Sequence, residues 1–342
     1  MVILSHDQAH YRPSVRIILG QNGPRGVQLF FALSGLLICG RLLQEEAESG
    51  SISLRGFYIR RFFRLQPAAY AYLAILAILT LTGLIPAFWR GIAGAVLMIR
   101  DIWPLNSGDG DWFTGHFWSL SVEEHFYLVL PLFLVLVRRY RLAILSVATI
   151  LAQAWTVTVF SHRSLQHYGN VYVRTDTRLG PILFGAAVAV LLTRPGARSA
   201  IQRFVQPWVA LLYAAAVLWR LQVHHSRYDE ALLFTIYLPL LVSTMLHPES
   251  IVSRCLELPP MRFLGRLSYS LYLWQQIFFM PFHPPAPGSF RSHWVLCWIA
   301  AFACATASYF LIETPMIRIG HRIAMKYTHA PSEAQRPEPV VV

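Results

Sequence analysis

Lysine is almost missing from this chain. Lys326 is the only one, so the 29 basic residues against 17 acidic ones, and the net charge of +12, amount to an arginine charge. Those arginines lie in short loops and at the ends of apolar runs rather than in one block, which speaks for membrane topology and anionic headgroups and against nucleic acid. Cysteine is scarce too. Cys39, Cys255, Cys297 and Cys304 fall in or beside apolar runs without a CxxC pair, which excludes a disulfide framework or a zinc site and leaves packing as their expected role. His162, His167, His224, His225 and His283 lack metal-ligand spacing, so no metal is expected. Charge as a whole is thin, at 13% of residues against 55% hydrophobic and a mean hydropathy of +0.46, which fits a polytopic membrane protein far better than two soluble domains. No internal repeat of the transporter kind is present. No cleavable signal peptide is visible, because Ser5-His6-Asp7 interrupts the apolar opening before a signal core can form.

What is present centres on residues 26–72: an apolar span, a charged hinge, an arginine knot and a second apolar span. Residues 26–40 are long enough, with the adjoining turn and Arg41, to cross a hydrocarbon core at about 1.5 Å per helical residue. The hinge carries Glu45, Glu46 and Glu48, then Gly50-Ser51, then Arg55, Arg60, Arg61 and Arg64. On a helix running into Pro67, Arg61 and Arg64 are three apart and Arg60 and Arg64 four apart, so their guanidinium groups fall on neighbouring faces and can grip phosphates together. The plainer alternative is a basic loop that only anchors topology.

Residues 1–6 reach only about 6 Å if helical, so they read as the stub of a truncated first span. A polar loop rich in turn formers is expected over 7–25 and a second span over 67–85, with Pro67 in its first turn. Residues 91–103 are apolar but short. If they do not cross, the spans near 120–137, 142–160, 178–193, 205–220, 230–246, 264–282 and 294–312 alternate so that most arginines share one side. The fold expected is therefore all-α: a polytopic transmembrane helix bundle of about ten spans, with a re-entrant or interfacial piece at 91–103. Residues 1–326 form one integral membrane domain and 327–342 a disordered cytoplasmic tail.

Several polar groups stand where charge is expensive. Glu123 and Glu124 lie in the first turns of a span, and Ser121-x-x-Glu124 has the pattern of a capping box, which leaves open which carboxylate is functional and which caps. Asp176 and Arg178 stand at the mouth of another span, as an ion pair, a substrate contact or an interface anchor. His6 is the ionisable group of the N-terminal stub, suited by a pKa near neutrality to act as a general base, with a solvated loop histidine as the alternative. Tyr269, Tyr272 and Trp274 resemble an interfacial aromatic belt, while Gln275-Gln276 is polar enough to face a bundle interior. Glu313 is expected to pair with one of the arginines at the membrane surface.

Seven pieces in order carry a resemblance: SH at 5–6, GVQLFFALSGLLI at 26–38, FYIRRFFRLQPAAY at 57–70, FWSLSVEEHFYLVLPL at 117–132, TDTRLGPILFGA at 175–186, LGRLSYSLYLWQQ at 264–276 and YFLIETPMIR at 309–318. Together they resemble the acyltransferase 3 family of integral membrane O-acyltransferases over nearly the whole chain. The resemblance implies transfer of an acyl group, in the first place acetyl, from acyl-coenzyme A approached from the cytoplasm to a hydroxyl of a glycan, lipid-linked sugar or secondary metabolite. It also implies a multi-pass protein of the bacterial plasma membrane, its C-terminus cytoplasmic, with no permanently bound cofactor. Arg61 and Arg64 match the family's paired arginines, which implies that they hold the donor. His6 matches the histidine at the end of the family's first helix, implying a part in acyl transfer, with Glu123 or Glu124, Asp176, Arg178 and Gln275 as polar partners. The chain departs from the family pattern in its missing first-helix arginine, in His125 where glutamine is commoner, and in Gln275 or Gln276 where many members carry histidine. No appended esterase-like domain is visible. A glycolipid transporter or an inactive truncated relative is the alternative.

Overall fold

The computed structural model describes residues 2–6, 13–103, 109–162, 165, 171–223, 229–279 and 293–327, and among them every regular element is a helix. In order these are α1 (Val2–His6), α2 (Pro13–Ser49), α3 (Leu54–Leu81), α4 (Trp89–Val96), α5 (Asp109–Gly115), α6 (Phe117–Leu136), α7 (Arg141–Ser161) and α8 (Thr175–Leu192). There follow α9 (Pro195–Phe204), α10 (Pro207–Val223), α11 (Asp229–Leu246), α12 (Ile251–Leu256), α13 (Pro259–Phe278), α14 (Trp294–Ser308) and α15 (Thr314–Met325), the last two joined by a π-helical turn at Tyr309–Glu313. Among the described residues six stretches are long and apolar enough to cross a membrane: Gly23–Ser49, Leu54–Leu81, Gly110–Leu136, Arg141–Ser161, Thr175–Leu192 and Trp294–Met325. The other expected spans are occupied by α10, α11 and α13. A polytopic helical bundle is thus the architecture, as its composition requires. The expected tail 328–342 and His167, His224, His225 and His283 lie outside the described residues.

Helices α2 and α8 form the tightest contact, and small residues make it possible. A Cβ at Gly35 would collide with the Ile182 carbonyl, and one at Gly185 with the Ala32 carbonyl, so two backbones meet where only glycine fits. Apolar burial then spreads from this seam to α6 through Phe31, Leu36, Val122, Leu130 and Ile182. A second apolar cluster joins α3, α4, α5, α13 and α14 through Tyr72, Leu76, Ala95, Phe113, Leu271 and Ala301. The outer faces stay greasy. Ile78, Leu128, Leu136, Ile150, Leu151 and Ile299 are exposed, the arrangement that suits acyl chains as solvent.

Four sequence expectations about local structure need correction. Residues 13–25 are helical rather than a loop: against a long apolar run, Gly20, Asn22 and Gly23 disfavour helix by only about 1 kcal/mol or less each, so α2 extends back to Pro13. Pro67 lies inside α3 and not in its first turn, because the helix starts earlier. Ser53 caps it by accepting from Gly56 N (3.2 Å), and Glu45 accepts from Ser53 N (3.0 Å). The capping box is absent. Helix runs almost unbroken from α5 into α6, so Ser121 is interior and donates back to the Phe117 carbonyl (2.9 Å). Finally, Cys255 is exposed, unlike buried Cys39 and Cys297.

The stretch 91–103 agrees with a piece that does not cross. Helix α4 has 8 residues, about 12 Å of rise, and Arg100 in the turns that follow is completely buried. Its guanidinium binds Asp111 (3.1 Å), while Thr175 donates to Asp101 and His125 approaches the same carboxylate (3.3 Å). The short helix is therefore tied to α5, α6 and α8 by buried polar groups.

Candidate active site

The hinge builds one end of the site. Glu45 takes Arg60 (2.8 Å), and Glu46 accepts from Arg141 (3.0 Å) and lies 3.3 Å from Arg138. Three of the arginines are thereby matched to hinge carboxylates. A cleft of about 100 Å³ remains, lined by Arg41, Glu45, Arg60, Arg61, Arg64 and His321 over a floor of Leu42 and Phe57. Helix α15 reaches it because Gly320 lets that helix lie against Phe63 of α3. The cleft is basic: its arginines come from α2 and α3, and α15 adds His321.

Arg61 points further in. Its guanidinium carbon lies 3.7 Å from the centre of the Tyr127 ring, and its Nε is buried without a hydrogen-bond partner. Tyr127 in turn donates to Glu123 (2.6 Å), which also accepts from Ser34 of α2. Glu123 is 1% exposed, whereas Glu124 is half-buried at the next position round the helix. The positive charge of Arg61 acts on both carboxylates.

From here α6 itself supplies direction. Residues seven apart return to one helical face, so His116, Ser119, Glu123 and Tyr127 make a single buried stripe about 16 Å long. At its far end Ser119 shares a hydrogen bond with Tyr272 (2.7 Å), and Tyr272 donates to the His116 carbonyl (3.0 Å). The His116 ring packs edge-on against Tyr72 and Tyr272. It comes near the Leu273 carbonyl, but neither nitrogen closes a hydrogen bond of normal geometry.

One turn before His116, Trp112 meets His6 with ring centres 4.9 Å apart. His6 Nδ1 lies 3.3 Å from Gln275 Oε1, so the amide oxygen takes the Nδ1 proton and leaves Nε2 with its lone pair outward. Trp112 donates to the carbonyls of Gln276 (3.0 Å) and Phe279 (2.7 Å), which fixes the ring against which His6 rests. An imidazole held in one tautomer beside buried polar groups can accept a proton from a hydroxyl.

The sequence-derived candidates thus divide. Arg61 and Arg64 share the cleft, Arg61 lies over Tyr127, which donates to Glu123, and His6 meets Gln275. Of the readings open for Asp176 and Arg178, the ion pair between them is not formed: the Arg174 guanidinium binds Asp176 (2.6 Å), to which Trp155 also donates (2.8 Å). Arg178 is buried, donates to the Tyr172 carbonyl (2.8 Å) and lies beside Phe160. The aromatic belt is also overturned. Tyr272 and Trp274 face the bundle interior, and Tyr269 donates to the Leu65 carbonyl (2.7 Å). Glu313 is buried rather than at the surface, accepting from Ser270 (2.9 Å) where the π turn rotates it inward. Sequence reasoning passed over His116, Ser34, Tyr127 and His321. Only Tyr127 had a usable signal, its spacing of four from Glu123.

Comparison with known proteins bears on this arrangement. The acyltransferase domain family model matches residues 1–313. The peptidoglycan O-acetyltransferase OatA of Listeria monocytogenes is 28% identical over 321 residues, covering 86% of this chain and 51% of its own length. A Bacillus subtilis protein provisionally named a peptidoglycan O-acetyltransferase, YrhL, is 28% identical over 331 residues, covering 87% of this chain and 51% of its own length. A Staphylococcus aureus protein provisionally named an O-acetyltransferase, SACOL0978, is 28% identical over 279 residues, covering 73% and 45%. This chain spans about half the length of these curated relatives. No solved structure matches.

Proposed function

The chain belongs to the acyltransferase 3 family, and on that premise we propose that it is a membrane O-acetyltransferase that moves an acetyl group from acetyl-coenzyme A to a hydroxyl of a cell-wall glycan. The observation that carries this reading is the buried stripe on α6, which leads from a basic cleft to a histidine held in one tautomer. In the proposal the nucleotide phosphates of the donor rest on Arg61 and Arg64, whose planar forks suit paired anionic oxygens. The thioester arm threads along the stripe past Tyr127, Glu123 and Ser119. Glu123 and Glu124 keep Arg61 oriented, while Asp176 and Arg178 shape the opposite mouth.

His6 then takes the proton of the acceptor hydroxyl as its oxygen bonds to the thioester carbon. The tetrahedral intermediate collapses, the carbon–sulfur bond breaks, and the thiolate receives that proton from His6. The basic end faces the cytoplasm of a bacterial plasma membrane in this scheme, and the acceptor enters from the other side. The relatives' names supply the acceptor class, and an oligosaccharide of N-acetylglucosamine is a suitable probe.

The test uses the full chain in liposomes with acetyl-coenzyme A and that oligosaccharide, reading thiol release and the mass of any ester formed. Turnover is expected, and Arg61→Lys with Arg64→Lys should weaken coenzyme A binding roughly tenfold or more, since an ammonium loses the bidentate contact. Absence of thiol release by the wild-type chain, or unchanged donor affinity in the lysine variants, contradicts the assignment.

A further inference from the structure

Residues Trp274 and Gln275 carry buried N–H donors with nothing to bind. Gln275 is 0% exposed and Trp274 6%, yet Gln275 Nε2 and Trp274 Nε1 have no hydrogen-bond partner. Leaving such donors unmatched in a bundle interior is costly, so a protein retains them where a ligand completes them. Their position is specific. Gln275 Oε1 faces His6 Nδ1 (3.3 Å), which turns the amide N–H group away from the imidazole. Trp274 packs edge-on against Tyr72 (5.6 Å between ring centres), and Tyr72 packs likewise against His116. Tyr72 itself is committed, its hydroxyl donating to the Phe113 carbonyl (2.6 Å). Around His6 the unmatched buried atoms thus include two N–H donors, Gln275 Nε2 and Trp274 Nε1, beside the acceptor Gln276 Oε1 and the His116 ring nitrogens, and two such donors are the equipment for an oxygen that gains negative charge.

Building on the acyl-transfer reading above, we propose that Gln275 and Trp274 form the oxyanion site of this enzyme, donating to the acyl carbonyl oxygen while His6 handles the proton. As the acceptor oxygen bonds to the carbonyl carbon, the carbonyl electron pair moves onto its oxygen, where the two N–H groups hold it. When the pair returns, the carbon–sulfur bond breaks, the thiolate leaves and His6 gives up the proton it took. Donors preorganised in a water-poor site stabilise that charge without reorienting at the moment of reaction. Gln275 so serves twice, its oxygen fixing the base and its nitrogen meeting the oxyanion.

The experiment separates those two duties. Gln275→Glu keeps an oxygen for the His6 proton but removes the N–H donor, and Trp274→Phe removes one N–H while retaining the ring. Each variant of the full chain in liposomes is assayed for thiol release from acetyl-coenzyme A, and its coenzyme A affinity is measured separately as a check that the bundle is intact. Each is expected to lower kcat by roughly 10²–10³-fold with donor KM and coenzyme A affinity within about twofold of wild type. A Gln275→Glu protein turning over at the wild-type rate overturns the proposal, since Gln275 would then only orient His6, and an unaltered Trp274→Phe removes the indole from the site. If instead the wild-type chain binds coenzyme A without releasing thiol, it is the acyl-transfer reading that fails.

Discussion

The two ends of the α6 stripe treat charge in opposite ways. At the basic end Glu45 and Glu46 each have a guanidinium within reach while Glu48 accepts from Gln44, the side chains are partly hydrated, and pairs such as Arg60–Glu45 resemble ordinary interfacial ion pairs. Around partly buried His6 the groups are amides, indoles and a second imidazole, with Trp274, Gln275, Gln276 and His116 almost wholly buried and several of their polar atoms unmatched. In the proposed function the first region holds the donor's anionic phosphates at a wet boundary, where screening keeps each contact weak. The second, in the same proposal, acts on a group that arrives dry, where each contact is strong. Binding and chemistry are therefore expected to be separable by mutation.

The largest effect that would sharpen this division is His6→Ala. Removing the base should lower turnover by roughly 10²–10⁴-fold while coenzyme A affinity at the other end stays at its wild-type value. Equal losses of affinity and turnover would show that the two regions are one site and that the comparison is false.

A second substitution strikes the scaffold between them. At Gly185 any Cβ meets the Ala32 carbonyl, backbone that cannot rotate aside, so Gly185→Leu forces α2 away from α8. Overpacking of this kind costs about 1–3 kcal/mol or more. Helix α2 carries Ser34 toward the stripe and Arg41 toward the cleft, so both donor binding and turnover should fall, together with thermal stability in detergent. A variant that lost turnover alone would mean that the seam is not what holds the two regions in register.

What could be read from the sequence follows the same division. Charges are legible because they are counted and spaced: the arginine knot, the acidic hinge and the pairing of Arg61 with Arg64 required only positions in the chain. The expectation that 91–103 does not cross came from arginine placement, and α4, at 8 residues, agrees with it. The role of each hinge acid was not, because Glu45 selects Arg60, fifteen residues on, and Glu46 reaches Arg141, ninety-five residues on, by tertiary contact. Asp176 shows the converse, since adjacency to Arg178 suggested a pair while rotation about the start of α8 gave it Arg174. Least legible was the chamber. Nothing in the string GRLSYSLYLWQQ distinguishes aromatic rings set at a membrane surface from rings turned inward around an unmatched amide, and His116 lacks any neighbour in sequence that marks it as buried.

The smallest expected effect tests the basic end alone. Glu45 lines the cleft, accepts from Ser53 N at the start of α3 and holds Arg60, so Glu45→Gln keeps the amide-accepting oxygen and removes only the charge. Because the pair is partly hydrated, stability should change by under about 1 kcal/mol. A carboxylate on the wall of a phosphate site repels its ligand, so coenzyme A affinity should rise by a factor of about two to five at low salt, and the gain should shrink as ionic strength increases. Titration calorimetry at two salt concentrations reads both quantities, with turnover per bound donor expected to stay constant. A marked fall in affinity instead would assign Glu45 to positioning the donor, and the basic end would then share the chamber's dependence on individual, precisely oriented contacts.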